Sequence, residues 1–272
     1  MDGRSLAARI REQVAADVNA LGAVGLATVL VGDDSASDTY IRLKHKAATE
    51  AGIQATDLRY PAGMSEADLL AKIAELNADD SVDALLVQLP LPDHIDENRV
   101  LRAVDPAKDV DGFHPLNAGE LYLGRPGLVP ATARGVLALL AEYEIELAGA
   151  RAVVVGRSAI VGKPTSLLLL QANATVTICH SRTRDLGHYT RDADVLVVAV
   201  GQAAVVTAEM VKPGGAVLDV GMNRTENGLV GDVDAAAAEV AGYLTPVPGG
   251  VGPMTIACLL ENAVRCARSV NR

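Results

Sequence analysis

Residues 151–164 read RAVVVGRSAIVGKP. An apolar run of strand length ends at Gly156, a short turn follows, and Lys163-Pro164 open a helical pattern that continues as TSLLLLQAN. Strand, glycine turn and helix, in that order, is the context that holds a dinucleotide pyrophosphate. Backbone amides at a helix N-terminus face the phosphates, and glycine lets the chain come close. The usual G-x-G-x-x-G spacing is absent: Gly156 and Gly162 are six apart, with Arg157 and Ser158 between them. A P-loop is excluded, because Arg157 stands where its first glycine belongs and Pro164 where Ser or Thr would follow the lysine. Taken alone, the turn fits either a nucleotide site or a tight packing turn.

The next apolar run, ATVTIC (174–179), ends in His180, Ser181, Arg182, Thr183 and Arg184, and the first acid is Asp185. A dinucleotide domain holds the adenosine ribose at the end of its second strand, and NAD enzymes usually place Asp or Glu there. A hydroxyl, an imidazole and arginines suit a 2′-phosphate better than a bare diol. Arg157 can approach the same phosphate from the first turn. This pattern favours NADP over NAD; the alternative is a solvated basic loop.

Outward from this centre the alternation continues. DVLVVAVG (194–201) and GAVLDVG (215–221) read as buried strands, and PMTIACLLENAVRCARSV (253–270) as a final helix with Pro253 in its first turn. Upstream, LATVLVG (26–32), ATDLRY (55–60) and DALLVQLP (83–90) read as strands, with helices at the N-terminus, over 65–77 and over 133–144. Alternating strands and helices imply an α/β protein with mostly parallel sheets covered on both faces. The pattern breaks over 105–132, a Gly/Pro-rich passage of the kind that links domains or carries chemistry. Two domains are expected, 1–118 and 119–252, followed by the final helix 253–272.

The bulk numbers limit the partners. Lys plus Arg is 24 and Asp plus Glu is 34, a net charge of -10. Such a chain is a poor general binder of nucleic acid or anionic membrane. Three cysteines without a C-x-x-C give neither a disulfide framework nor a zinc site, and the scattered histidines have no metal spacing, so no metal is expected. The N-terminus is an amphipathic helix start rather than a signal peptide, and there is no apolar run long enough for a membrane span, so a reducing cytoplasm is expected.

Four more segments ask for an explanation. SDTYIRLKHKAATEAG (37–52) reads as a helix capped by Ser37 and ended by Gly52, with Tyr40 and Lys44 one turn apart on one face. The chain has one Phe and no Trp, so a ring beside an amine is a notable use of a Tyr. VQLPLP (87–92) puts Gln88 at the carboxyl end of a strand, where α/β sheets keep their sites. KDVDGFHP (108–115) puts Asp109 and Asp111 in an irregular loop, and PVPGGVGPMT (246–255) is a glycine-lined loop feeding a helix. Singly, each also reads as scaffold: a solvated helix face, a turn cap, turn-forming aspartates, a hinge.

Together, and in this order along nearly the whole chain, these segments resemble the bifunctional methylenetetrahydrofolate dehydrogenase/methenyltetrahydrofolate cyclohydrolase family. PGGVGPMT and KDVDG are its most specific motifs. The resemblance implies an N-terminal folate-site domain, a Rossmann-like NADP-binding domain, a final helix packing back on the first domain, and a homodimer. It implies oxidation of 5,10-methylenetetrahydrofolate with NADP, then hydrolysis to 10-formyltetrahydrofolate, in one-carbon metabolism and the supply of purine synthesis. By resemblance, Lys44 is the catalytic lysine, Tyr40 stacks on the folate, Gln88 positions the amine and Asp111 binds the pterin. Pro248, Gly249 and Gly250 belong to the substrate loop. Gly156, Arg157, Ser158, Gly162, His180, Ser181 and Thr132 belong to the cofactor. The sequence departs from the family at PATARG (130–135), where Ala131 and Ala133 stand for the usual cysteine and proline. Loss of the proline is expected to loosen that helix start. A dehydrogenase without cyclohydrolase activity and a non-catalytic NADP- or folate-binding protein are the rival readings. Retention of Tyr40, Lys44 and Gln88 argues against the first, and the second would have no need for Lys44.

Overall fold

The computed structural model describes residues 1–226 and 228–270, without the side chains of residues 35–37 and 270. The expected cap by the Ser37 side chain lies outside the described residues. The chain forms two compact units: Arg9–Val129 with Ile256–Arg272, and Met1–Ala8 with Pro130–Thr255.

The first of these contains most of α1 (Gly3–Leu21), then β1 (Gly25–Val31), α2 (Ser35–Glu50), β2 (Gln54–Tyr60), α3 (Glu66–Ala78), β3 (Ala84–Val87), α4 (Glu97–Ala103) and α5 (Pro115–Tyr122). Its strands form a parallel sheet of order β2-β1-β3. Every residue of β1 is buried, as its unbroken apolar sequence GLATVLV requires of a central parallel strand. Val29, Val31, Leu85 and Val87 pack with Leu69 and Ile73 of α3. Full burial of side chains such as these two contributes about 1.5–3 kcal/mol each. Gly52 ends α2 with φ +81°, and Ile53 N–H reaches back to the Ala48 carbonyl, the left-handed stop read from the sequence.

The passage 105–132 is more ordered than its composition suggests. Leu85 N–H donates to the Lys108 carbonyl (2.7 Å) and Val110 N–H to the Leu85 carbonyl (3.4 Å), so 108–110 run beside β3 like a short fourth strand. The Lys108 ammonium is buried and closes the C-terminus of α3, donating to the carbonyls of Leu76 (3.3 Å), Asn77 (2.8 Å) and Asp79 (2.8 Å). Helix α5 follows, with Pro115 at its first position and the His114 ring accepting Leu116 N–H.

The other unit continues with α6 (Ala131–Glu142), β4 (Arg151–Val155), α7 (Gly162–Gln171), β5 (Thr175–Cys179), α8 (Leu186–Thr190), β6 (Val195–Val198), β7 (Ala216–Asp219), the antiparallel pair β8 (Asn223–Thr225) and β9 (Gly228–Val230), and β10 (Tyr243–Leu244). The five parallel strands take the order β10-β7-β6-β4-β5. Chain direction reverses its lateral progress at β4, with β5 on one side and β6 on the other, which is a topological switch point. Helix α6 begins at Ala131, ahead of the Ala133 that replaces proline, and both alanines are buried.

The last helix, α9 (Val251–Val270), carries Pro253 in its first turn. Its residues from 256 onward belong with Arg9–Val129. Asn262, fully buried, donates to the carbonyls of Val110 and Val129 (both 2.9 Å), and Arg268 pairs with Asp17 at 3.0 Å. The final helix thus packs back on the first domain.

Candidate active site

One constellation forms within the unit built on 9–129. Helix α2 presents Tyr40 and Lys44 on the same face, and the Lys44 ammonium nitrogen lies 5.6 Å from the centre of the Tyr40 ring. Lys44 is only 6% exposed, although it is a lysine on a helix rich in charge. Its Nζ donates to Gln88 Oε1 at 3.2 Å, and Gln88 Nε2 donates to the Leu89 carbonyl at 2.7 Å, which fixes the amide's orientation. Lys46, two residues on, is exposed and pairs with Glu50 at 3.8 Å.

Burial pushes the Lys44 amine below the usual lysine range, and the negative Asp111 opposes that shift. Asp111 is pushed up to about 6, first by burial and further by Asp109, against the pull of Lys44. No ion pair joins Lys44 and Asp111 among the described residues, yet each charge acts on the other. The amine is therefore drawn toward neutrality by desolvation, and the carboxyl toward its protonated form.

The two aspartates of KDVDG have different tasks. Asp109 is buried, accepts from His114 N–H (2.7 Å) and Asn117 Nδ2 (2.8 Å), and holds the start of α5 in place. Asp111 is left for the site. Sequence reasoning missed the supports of this loop: Lys108, Asp109 as a brace, and Asn262. A polar residue on the apolar face of the final helix was the available signal for Asn262.

In the other unit, β4 runs into Gly156 (φ +135°), where a Cβ would collide with the Ala199 carbonyl, and a Cβ on Gly162 would collide with the Gly156 carbonyl. The turn is thus bare backbone laid against the N-terminus of α7, as a pyrophosphate requires. The Ser158 hydroxyl accepts from Val161 and Gly162 N–H (3.1 and 3.3 Å), so it orders the helix start. Arg157 is exposed beside it. At the end of β5, Arg182 N–H donates to the His180 ring and His180 N–H to Thr183 Oγ1, leaving Ser181 exposed at the corner. These residues fit a phosphorylated ribose next to a pyrophosphate. Thr132 bonds Thr255 through their hydroxyls at 3.1 Å. In the 246–250 loop Pro248 is exposed, Gly249 and Gly250 are buried, and Gly249 accepts from Gly3 N–H. Among the described residues, no group of three or more His, Cys, Asp or Glu is placed to hold a metal ion, and no helix is long and apolar enough to cross a membrane.

Two family models match the chain. Residues 1–111 match the tetrahydrofolate dehydrogenase/cyclohydrolase catalytic domain, and residues 130–271 match the NAD(P)-binding domain of the same enzymes. The bifunctional protein FolD of Paraburkholderia phytofirmans is 58% identical over 273 residues, covering 98% of this chain and 96% of its own. The crystal structure of the bifunctional FolD methylenetetrahydrofolate dehydrogenase/cyclohydrolase from Campylobacter jejuni has a TM-score of 0.97 and 49% identity, covering 98% of each chain. The Trypanosoma brucei methylenetetrahydrofolate dehydrogenase-cyclohydrolase, crystallised with NADP cofactor and inhibitor, has a TM-score of 0.95 and 38% identity, covering 100% of this chain and 98% of its own.

Proposed function

The chain belongs to the tetrahydrofolate dehydrogenase/cyclohydrolase family, and on that premise we propose that it performs both reactions with the residues placed above. It oxidises 5,10-methylenetetrahydrofolate to 5,10-methenyltetrahydrofolate with NADP and hydrolyses that product to 10-formyltetrahydrofolate. The observation that carries the proposed site is Lys44: a nearly buried amine, hydrogen-bonded to a neutral amide and set beside an aromatic ring.

In this reading Tyr40 offers a face for the pterin and Asp111 a hydrogen-bonding partner for its ring nitrogens. Positioning carries much of the first reaction, because the folate nitrogens themselves stabilise the cation left by hydride loss. NADP supplies the hydride acceptor. Gly156, Arg157, Ser158, Gly162, His180, Ser181 and Thr132 hold it, and the loop of Pro248, Gly249 and Gly250 serves the folate.

The second reaction is proton chemistry. Water adds to the methenyl carbon and its proton passes to the neutral Lys44 amine. The ring then opens as the bond from carbon to N5 breaks, and the ammonium returns a proton to N5. The remaining hydroxyl proton goes to solvent, so the hydrolysis releases one proton in total. A lysine at about pKa 10.4 would be almost fully charged at neutral pH and could not begin this sequence. Burial shifts it the required way, and the Gln88 oxygen holds the nitrogen in place.

Purified protein given methylenetetrahydrofolate and NADP tests the assignment when both products are followed. Both methenyl and 10-formyl products are expected; methenyl alone would mark a dehydrogenase without cyclohydrolase activity, and neither would mark a binding protein. The homodimer and the cytoplasmic location implied by the resemblance belong to the same proposal and are tested by sedimentation and cell fractionation.

A further inference from the structure

Two buried carboxylates at the carboxyl ends of β6 and β7 are unused by the mechanism above. Asp232 is fully buried and Asp219 is almost so. Asp232 accepts from Val200 N–H (2.7 Å) and Gly201 N–H (2.9 Å), where the chain leaves β6, and from Asn223 Nδ2 (2.9 Å), just beyond β7. Asp219 accepts from Gly221 N–H (3.0 Å), Asp232 N–H (2.9 Å) and Val233 N–H (3.0 Å). The two acids therefore tie the turn after β6 to the turn after β7. Glycine is required at both approaches, since a Cβ on Gly221 would collide with the Asp232 carboxylate and one on Gly231 with that of Asp219.

Two carboxyl groups buried together are an expensive way to brace a loop. Burial raises the Asp219 carboxyl above its ordinary range, and Asp232 adds to that. The place of the pair supplies a reason. The sheet order is β10-β7-β6-β4-β5. The pyrophosphate turn follows β4 and the ribose-phosphate corner follows β5, so the other half of a dinucleotide extends over the ends of β6 and β7. We propose that Asp232, held by Asp219, is a positioning residue for the nicotinamide half of NADP. It acts through the backbone of Val200, Gly201 and the 221–223 turn rather than by touching the cofactor. This inference rests on the NADP reading above.

The test uses Asp232→Asn in the full chain and measures three things: calorimetric binding of NADP, calorimetric binding of 2′,5′-ADP, and hydrolysis of methenyltetrahydrofolate without NADP. The asparagine keeps the volume but removes the charge and leaves one acceptor oxygen for the three donors of Val200, Gly201 and Asn223. Binding of NADP is expected to weaken by about tenfold or more, because charge-assisted hydrogen bonds fix the turns. Affinity for 2′,5′-ADP, which lacks the nicotinamide half, and the cyclohydrolase rate are expected to stay within about twofold. Unchanged NADP binding overturns the proposal. So does an equal loss of NADP and 2′,5′-ADP binding, or a parallel fall in cyclohydrolase rate, because a general structural role would produce either. Should Asp232→Asn fail to fold, Asn223→Ala removes a single bond to the pair and decides the matter. It is expected to weaken NADP, and not 2′,5′-ADP, by about two- to fivefold, and no effect on NADP overturns the proposal. An unmodified enzyme that fails to bind NADP would instead overturn the cofactor reading, and this inference with it.

Discussion

Lys44 and Arg157 are both cations proposed to function, and the molecule treats them in opposite ways. Lys44 is enclosed, with its amine on one amide oxygen and its charge disfavoured by burial. Arg157 stands exposed on a turn, beside a serine that orders the helix start. A cation that must give up its proton to do chemistry is taken out of water; one that must keep its charge to hold a phosphate stays in it. The difference lies in surroundings and not in residue type alone. It is also the reason that Lys46, exposed on the same helix as Lys44, is not the lysine proposed as the catalyst.

The comparison breaks most visibly at Lys44. Lys44→Met keeps the apolar stem and removes the amine. Cyclohydrolase activity should fall about 100- to 10,000-fold, while the dehydrogenase survives and methenyltetrahydrofolate accumulates. Lys46→Met should leave the ratio of the two rates near normal. Assays of both variants check this; a normal ratio in Lys44→Met with a collapsed one in Lys46→Met would assign the role to the wrong lysine.

Asp111 tests whether the enclosed site is shared by both reactions. Asp111→Ala leaves a ring donor without its partner, at about 1–3 kcal/mol, and should raise the folate requirement of both activities together. Loss of only one activity would make Asp111 a catalytic group for that step. Asp111→Asn probes the cost of the enclosure itself. The folded protein holds this carboxyl at about 6, above its ordinary 3.8, so it binds the proton more tightly than the unfolded chain does. Stability is fully present below about pH 4 and is lost as pH rises through 6. The amide should therefore be more stable than the acid at pH 7.5, by up to about 3 kcal/mol, and equal to it near pH 4. Thermal melts at the two pH values measure the difference. A smaller effect is expected at the exposed cation: Arg157→Ala should weaken NADP by about tenfold and NAD much less, read as kcat/KM for each cofactor.

How much of this was legible in the sequence depended on the range of the interaction. Buried strands such as GLATVLV and RAVVV announced themselves by unbroken apolar runs. The Tyr40–Lys44 contact followed from four-residue spacing on a helix. Helix α5 was hidden because Gly119 and the flanking glycines and prolines dilute its pattern, although Pro115 at its first position was a start signal. Helix α4 buries only Val100, and the strands of the β8–β9 pair are three residues each and mostly exposed, so neither has a periodicity to read. The opposing influence of Lys44 and Asp111 is carried across 67 positions of chain and depends on burial that no local pattern encodes. The same holds for Asn262, whose partners at Val110 and Val129 lie more than a hundred residues away.

The central claim is that a desolvated, neutral Lys44 amine begins the hydrolysis. The pH dependence of cyclohydrolase kcat/KM, corrected for spontaneous hydrolysis and measured for the unmodified enzyme and Lys44→Met, tests it most directly. The unmodified rate should rise with pH through a midpoint below the ordinary lysine value of about 10.4, and Lys44→Met should lack that rise. A midpoint at the ordinary lysine value, or the same rise in Lys44→Met, would contradict it.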